Sequence, residues 1–359
     1  MKKFFLVVVG VVALGLALRF TLNKKPKQKA DATKPPTVVV NTPPPDEQPP
    51  ATPDQPPPTP TTTPTPAPDE PPPPPRIAGS VQISDVQTQW FASAPGVLYY
   101  CERGTMYAQS KSGGAAVNVG DCGSAFDMRA DAQGVVFCDG DGQLMRITAG
   151  ADNGSQVIAG GLEGCITSAI DGKWAYFVVP GFEGTENPGL FRVLRSGGTP
   201  EKIHATRPKE QFMVAVDDDA VWIGAWAAGT ISKLGKTPGS KARTVVTGQK
   251  GIVDLAIDGN SLYWYAEGTG EVRRRKKTGG AIEVVGHDVD QEPVVVTSDG
   301  HAYWFEGKAG EDKRLVHLAP GAAKSETIAS GLKAPSLRAD TEGVYVTELD
   351  RDGIFMFKR

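Results

Sequence analysis

From Asp254 to Val285 apolar and polar positions alternate in short bursts: Leu255 to Ile257, then Leu262-Tyr263-Trp264, then a burst opened by Gly270-Glu271-Val272, then Ile282 to Val285. Asp258-Gly259-Asn260 and Thr278-Gly279-Gly280 punctuate them. A period near two, broken by Gly, Asn and Asp, predicts four antiparallel strands joined by tight turns. One such sheet has two open edges and too little surface to bury its apolar side chains. It therefore needs copies of itself.

The copies are in the chain. Aligned on Trp264, the series runs Tyr100, Phe137, Phe177, Ile223, Trp264, Trp304, Val346. Its spacing of about 41 residues suits the four-stranded blades of a β-propeller. The preceding position is mostly aromatic, as in Tyr99, Tyr176, Trp222, Tyr263, Tyr303 and Tyr345. An Asp-rich turn stands five to seven residues upstream in most copies. Downstream comes Gly-x-apolar, as in Gly104-Met106, Gly142-Leu144, Gly229-Ile231 and Gly270-Val272. The sixth copy breaks this rule with Lys313 before Leu315. Seven copies predict an all-β, seven-bladed propeller over residues 77–359. The last copy runs out after three strands, so Val81-Gln82-Ile83 is expected to supply its fourth and close the ring.

The rest of the chain reads differently. Residues 1–29 carry Lys2-Lys3, an apolar run from Phe4 to Leu18, then Arg19 and four lysines. This pattern predicts a signal anchor in the membrane with the propeller in the periplasm or outside the cell, or alternatively a cleaved signal peptide and secretion. Residues 30–76 hold most of the 30 prolines. Proline fixes φ and removes a donor, so this stretch predicts a disordered, extended linker. A net charge of −3 gives no general pull toward nucleic acid.

Four cysteines recur with the repeat. Cys101 and Cys138 follow the aromatic pair, while Cys122 and Cys165 precede the next inner strand. Repeat symmetry suggests Cys101–Cys122 and Cys138–Cys165, although sequence alone allows three pairings. Metal binding by these cysteines is the rival reading, but no Cys-x-x-Cys pair is present. All four fall on one predicted rim. That rim also carries a longer loop with Phe182, Glu183 and Glu186, together with Trp226, and these are candidates for contact with a partner. Carboxylates gather there as well, among them Glu163, Asp288, Asp290 and Glu292. Asp288 and Asp290 join the partner-binding candidates. The same carboxylates are the basis for considering Ca²⁺, although no segment matches a calcium loop and no cofactor is expected.

His287, with Glu163 and Glu292, is the nearest approach to a catalytic group. No nucleophile elbow, phosphate loop or metalloprotease motif occurs. Arg273 to Lys277 is the one basic run, read as a solvated strand. Trp90, Trp226 and Phe182 could stack a ligand near the channel mouth, with core packing the expected role of Trp90.

The units SLYWYAEGTGEVRRRKKTGGAIEVV and GHAYWFEGKAGEDKRLVHLAPGAAKSETI resemble the YWTD-type repeats of the low-density-lipoprotein receptor class. They are more similar still to bacterial exported propellers built on Val-Tyr-Trp-Thr repeats, a group related to the TolB-like and NHL propellers. Tyr-Trp is intact at Tyr263-Trp264 and Tyr303-Trp304, the following Thr-Asp is missing, and receptor-type domains usually have six blades. The resemblance implies a binding scaffold of undefined partner; the expectation for this chain is a monomeric propeller that recognises a protein or glycan of the cell envelope. Some related propellers are lyases or lactonases, which makes an enzyme acting at the central channel the alternative.

Overall fold

The computed structural model describes residues 77–359 except 89, 153, 163, 166, 182–184, 206–209, 211, 290–292, 309, 334–335 and 349–350. The first 76 residues, with the expected membrane segment and linker, lie outside the described residues. Among the described residues, no helix is long and apolar enough to cross a membrane.

Twenty-eight strands form seven four-stranded antiparallel sheets. Blades 1 to 6 span residues 91–121, 126–159, 167–205, 212–246, 252–286 and 295–332. Blade 7 takes its inner three strands from residues 336–358 and its outer strand from Val81–Ser84, which pairs with Arg351–Lys358. The ring therefore closes as the sequence predicts, with the edge of Arg351–Lys358 covered by the N-terminal strand.

Burial follows the position of a strand within its blade. Second strands such as Gly134–Cys138, Ser261–Ala266 and Gly343–Glu348 are buried at every residue. Each is covered on both faces by neighbouring sheets, so it reads as an unbroken apolar run rather than an alternation. Fourth strands such as Val117–Asp121 lie at the outside and are largely exposed. Trp222, Trp264 and Trp304 are fully buried between blades, as are Tyr176, Tyr263, Tyr303 and Tyr345.

The Asp turns have a specific use. One oxygen of Asp217 accepts from the backbone N–H of Asp219 and Ala220, and the other accepts from the indole of Trp222 at 2.8 Å. Asp171 does the same with Tyr176 and Asp258 with Tyr263, always five residues on, while Asp340 takes both its turn N–H groups and the Tyr345 hydroxyl on Oδ1 and leaves Oδ2 to Ser93 and Lys111. The carboxylate closes the turn and satisfies the one polar atom of a buried aromatic ring. The Gly-x-apolar signal also has a cause. Gly229 has φ +61°, and an added Cβ would stand 2.2 Å from the carbonyl oxygen of Gln249. Its own carbonyl takes the N–H of Gln249 at 2.9 Å, tying the turn to the chain entering the next blade. In blade 6 Lys313 is buried instead, its ammonium donating to the carbonyls of Gly307 and Lys308.

Two expectations are corrected. Trp90 is 44% exposed and is not a core residue. It precedes the buried inner strand Phe91–Ala94 and lies in the connection on the rim rather than in the sheet. The basic run is not simply solvated. Arg274 donates to Glu283 and to the carbonyl of Ala322, Arg275 donates to the carbonyls of Gly280 and Val245, and Lys277 pairs with Asp217. The run sits on the third strand of blade 5, Glu271–Lys276, which reaches both adjacent blades.

Candidate functional site

One rim of the propeller gathers the loops between second and third strands and the connections from each outer strand to the next inner strand. Cys101–Cys122 and Cys138–Cys165 both form here, with Cα separations of 6.1 and 5.6 Å, and no free cysteine is left. They close 21- and 27-residue separations. Each bridge removes roughly 3 kcal/mol of unfolded-chain entropy on the loop-closure model. Each also ties a hairpin loop to the connection beside it, so this sector of the rim is covalently fixed.

Trp226, 40% exposed, leaves the second strand of blade 4 on the same rim. Its indole N–H donates to Glu267 Oε2 of blade 5 at 2.9 Å. A large apolar ring is therefore held at the surface in one pose by a bond across a blade boundary. Trp90 opens on the same side, just ahead of the innermost strand of blade 1. His287 and Asp288 are exposed in the connection from blade 5 to blade 6, Asp288 in the left-handed region at φ 52°. The backbone N–H of His287 faces Glu306 at 3.4 Å. Glu186 is exposed at the end of the blade 3 loop. Phe182, Glu183, Glu163, Asp290 and Glu292 lie outside the described residues.

Several rim carboxylates are committed to the loops themselves. Asp139 accepts from the backbone of Asp141 and Gln143, and buried Glu348 accepts from the N–H of Lys333 and from Arg351. Among the described residues no group of three or more His, Cys, Asp or Glu is placed to hold a metal ion.

A second cluster went unnoticed in the sequence. The inner-strand residues paired with the recurrent aromatic position are Ala92, Arg129, Ala169, Ala215, Ala256, Val295 and Arg338. One layer of the axial channel thus holds five small apolar residues and two arginines. Arg129 pairs with Asp127 at 2.7 Å, and Asp127 takes φ 50° at a bulge in its strand. Asp254, at a bulge in blade 5, accepts from the backbone N–H of Leu255 at 2.9 Å and of Val294 at 2.7 Å.

These groups belong to blades 2, 5 and 7 and act on one another across the axis. Burial pushes the Asp254 carboxyl above its usual range, against those two N–H bonds and the charges of Arg129 and Arg338. Burial and then the charge of Arg129 lower Arg338 to about 10, against the attraction of Asp127 and Asp254. Both Asp254 and Arg338 are ringed by protein yet keep some accessible surface, as groups lining a narrow water-filled channel should.

No family model matches the chain, and no curated protein sequence matches it. Solved structures do. Virginiamycin B lyase from Staphylococcus aureus superposes with a TM-score of 0.60 at 11% identity, covering 77% of this chain and 97% of the lyase. A chain of the mitotic checkpoint complex gives 0.61 at 7% identity, covering 79% and 94%. A puromycin-hydrolyzing peptidase of Mycobacterium tuberculosis gives 0.55 at 15% identity, covering 79% of this chain and 55% of that one. At these identities the likeness is one of fold: a seven-bladed propeller that serves lyase, peptidase and assembly proteins alike.

Proposed function

We propose that the propeller is a recognition domain, carried outside the cytoplasm on the proline-rich stalk of residues 30–76, that binds a protein or glycan of the cell envelope through its cross-linked rim. The observation that carries this reading is the pose of Trp226. An indole 40% exposed, fixed by Glu267 of the next blade, is a ready anchor for a partner surface or a sugar face. The two disulfides support it, because they stiffen the loops on that rim and suit an oxidising compartment. Rigid loops lose little entropy on binding.

The test uses the full-length chain in co-sedimentation with isolated envelope, intact and protease-treated. Trp226→Ala, with Trp90→Ala beside it, should weaken binding at least about tenfold, the loss of a strong anchor. Wild-type retention by both variants would sink the reading.

A second reading, an enzyme acting at the channel, rests on Asp254. A carboxyl that burial pushes upward, facing an enclosed charged chamber, is placed for acid or base work. Asp254→Asn should then abolish turnover of any substrate found by screening, while Trp226→Ala leaves turnover intact.

A further inference from the structure

The guanidinium of Arg338 is only partly used. Nη1 donates to the carbonyl of Leu337 at 2.7 Å, and the Phe91 ring lies 5.7 Å from the guanidinium carbon. Nε is buried and has no hydrogen-bond partner. Among the described residues no carboxylate lies within ion-pairing distance of it. The free edge, Nε with Nη2, is the edge with which arginine grips a carboxylate through two parallel bonds. A buried donor without a partner costs about 1–3 kcal/mol, more when charged, so a native protein rarely leaves one idle.

The surroundings say what would fill it. Arg129 occupies the same layer from blade 2, with its side chain 38% exposed, so solvent space adjoins it. Ala92, Ala169, Ala215, Ala256 and Val295 complete that layer; the first three are buried among the blades, and Ala256 and Val295 are half-buried. Asp127 holds Arg129 from one side only. Two arginines with like charge act on one another here, and Asp127 and Asp254 act on both. With Asp254 protonated, Asp127 offsets one arginine, so a single negative charge matches and a dianion does not.

We propose that the axial channel is a binding site for a small monocarboxylate, gripped by the Nε–Nη2 edge of Arg338 and steadied by Arg129. The lowered pKa of Arg338 agrees with this, since it registers burial and the neighbouring charge of Arg129, which an anion would offset. The site is separate from the rim and stands whether or not the rim binds a partner.

The probes are acetate and benzoate, added to the full-length chain at constant ionic strength against chloride. Binding to the folded state alone raises the melting midpoint with a saturable dependence on concentration. Benzoate or acetate should do so, and the Arg338 Nε–H resonance should shift with the same saturation. Arg338→Met should abolish the rise. Arg129→Gln should weaken the carboxylate at least about tenfold and serves alone where Arg338→Met does not fold. The proposal is overturned by a rise no greater than that with chloride, by equal rises in wild type and Arg338→Met, by unchanged affinity in Arg129→Gln, or by sulfate binding as tightly as the monocarboxylates.

Discussion

Lys277 Nζ lies 2.7 Å from Asp217 Oδ2, although the lysine follows the third strand of blade 5 and the aspartate follows the inner strand of blade 4. The same bond recurs around the ring. Arg195 of blade 3 reaches Asp131 of blade 2, Lys236 of blade 4 reaches Asp171 of blade 3, Arg359 of blade 7 reaches Asp299 of blade 6, and Lys111 of blade 1 reaches Asp340 of blade 7. Lys111, Arg195 and Lys277 hold one repeat position, each donating its backbone N–H back to its own first hairpin; Ala149 of blade 2 stands there too and carries no charge. Asp131, Asp171, Asp217 and Asp340 each close their own turn and then receive a cation from the next blade, whereas Asp299 accepts from the Thr297 hydroxyl beside its cation.

This belt joins blades through partly shielded charges. Burial would raise the Asp217 carboxyl, but the bonds from Lys277, Trp222 and Ala220 outweigh it and hold it below the usual range. Lys277→Met removes the ammonium that lies 5.9 Å from the centre of the Trp222 ring and leaves that carboxylate without its cation. We expect a loss of about 1–2 kcal/mol in urea unfolding, between an exposed pair and a buried one. Lys276→Met, one residue away and exposed, should stay within about 0.5 kcal/mol of wild type. Equal effects of the two substitutions would dismiss the belt.

Closure of the ring makes a second expectation. Val81 pairs with Met356 and Gln82 with Phe355, and Ile83 packs with Val86, Phe91, Tyr345 and Ile354 between blades 7 and 1. The side chain of Gln109 donates to the carbonyl of Ile83 at 2.8 Å, so blade 1 also holds the strand. Ile83→Ala should cost about 2–4 kcal/mol by the cavity it leaves. Deleting residues 77–84 should bare the edge of Arg351–Lys358, broaden the unfolding transition and promote association. A deletion variant that melts like the parent would mean the strand only decorates the last blade.

The contrast between what the sequence disclosed and what it hid has a physical basis. Blade number, ring closure and both disulfides were legible because each follows from a feature repeated in register: a strand pattern, a missing strand, a cysteine at the same repeat position. The belt was missed although it too has a period. Lys111, Arg195, Lys277 and Arg359 recur at alternate blades, yet among 38 basic residues a single cation per copy does not stand out. Arg129 and Arg338 were hidden for the opposite reason. They break the repeat, replacing alanine in an inner strand, and a departure gains meaning only when the ring brings blades 2 and 7 to one axis. Trp90 was misread because a tryptophan beside a strand looks like core until the strand proves to begin one residue later, leaving the ring in the rim connection.

The last expectation concerns pH. His301 Nδ1 meets His317 Nε2 at 2.6 Å, and His317 Nδ1 meets Glu326 at 2.8 Å, on the face opposite the disulfides. One ring must accept while the other donates, so at least one histidine is neutral. Burial lowers the pKa of His301, with the charges of Arg359 and His317 adding to it and Asp299 opposing. Asp299 itself is held at about 2 by hydrogen bonds from Arg359 and Thr297, so it stays ionised throughout the relevant range. An unfolded histidine takes up its proton near pH 6.5. Below that point the unfolded chain binds more protons than the folded one, so stability is full above about pH 6.5 and falls as the pH drops toward the folded pKa. His204, lowered mainly by burial, acts in the same sense from blade 3. Asp171, Asp217, Asp299 and Asp340 of the belt are held below the usual carboxylate range and lose their contribution only at lower pH, where they protonate. Melting midpoints should therefore decline between pH 7 and pH 5, and His301→Gln should flatten part of that decline while leaving the acid limb near pH 3 in place. A slope identical in wild type and His301→Gln would assign the decline to other groups.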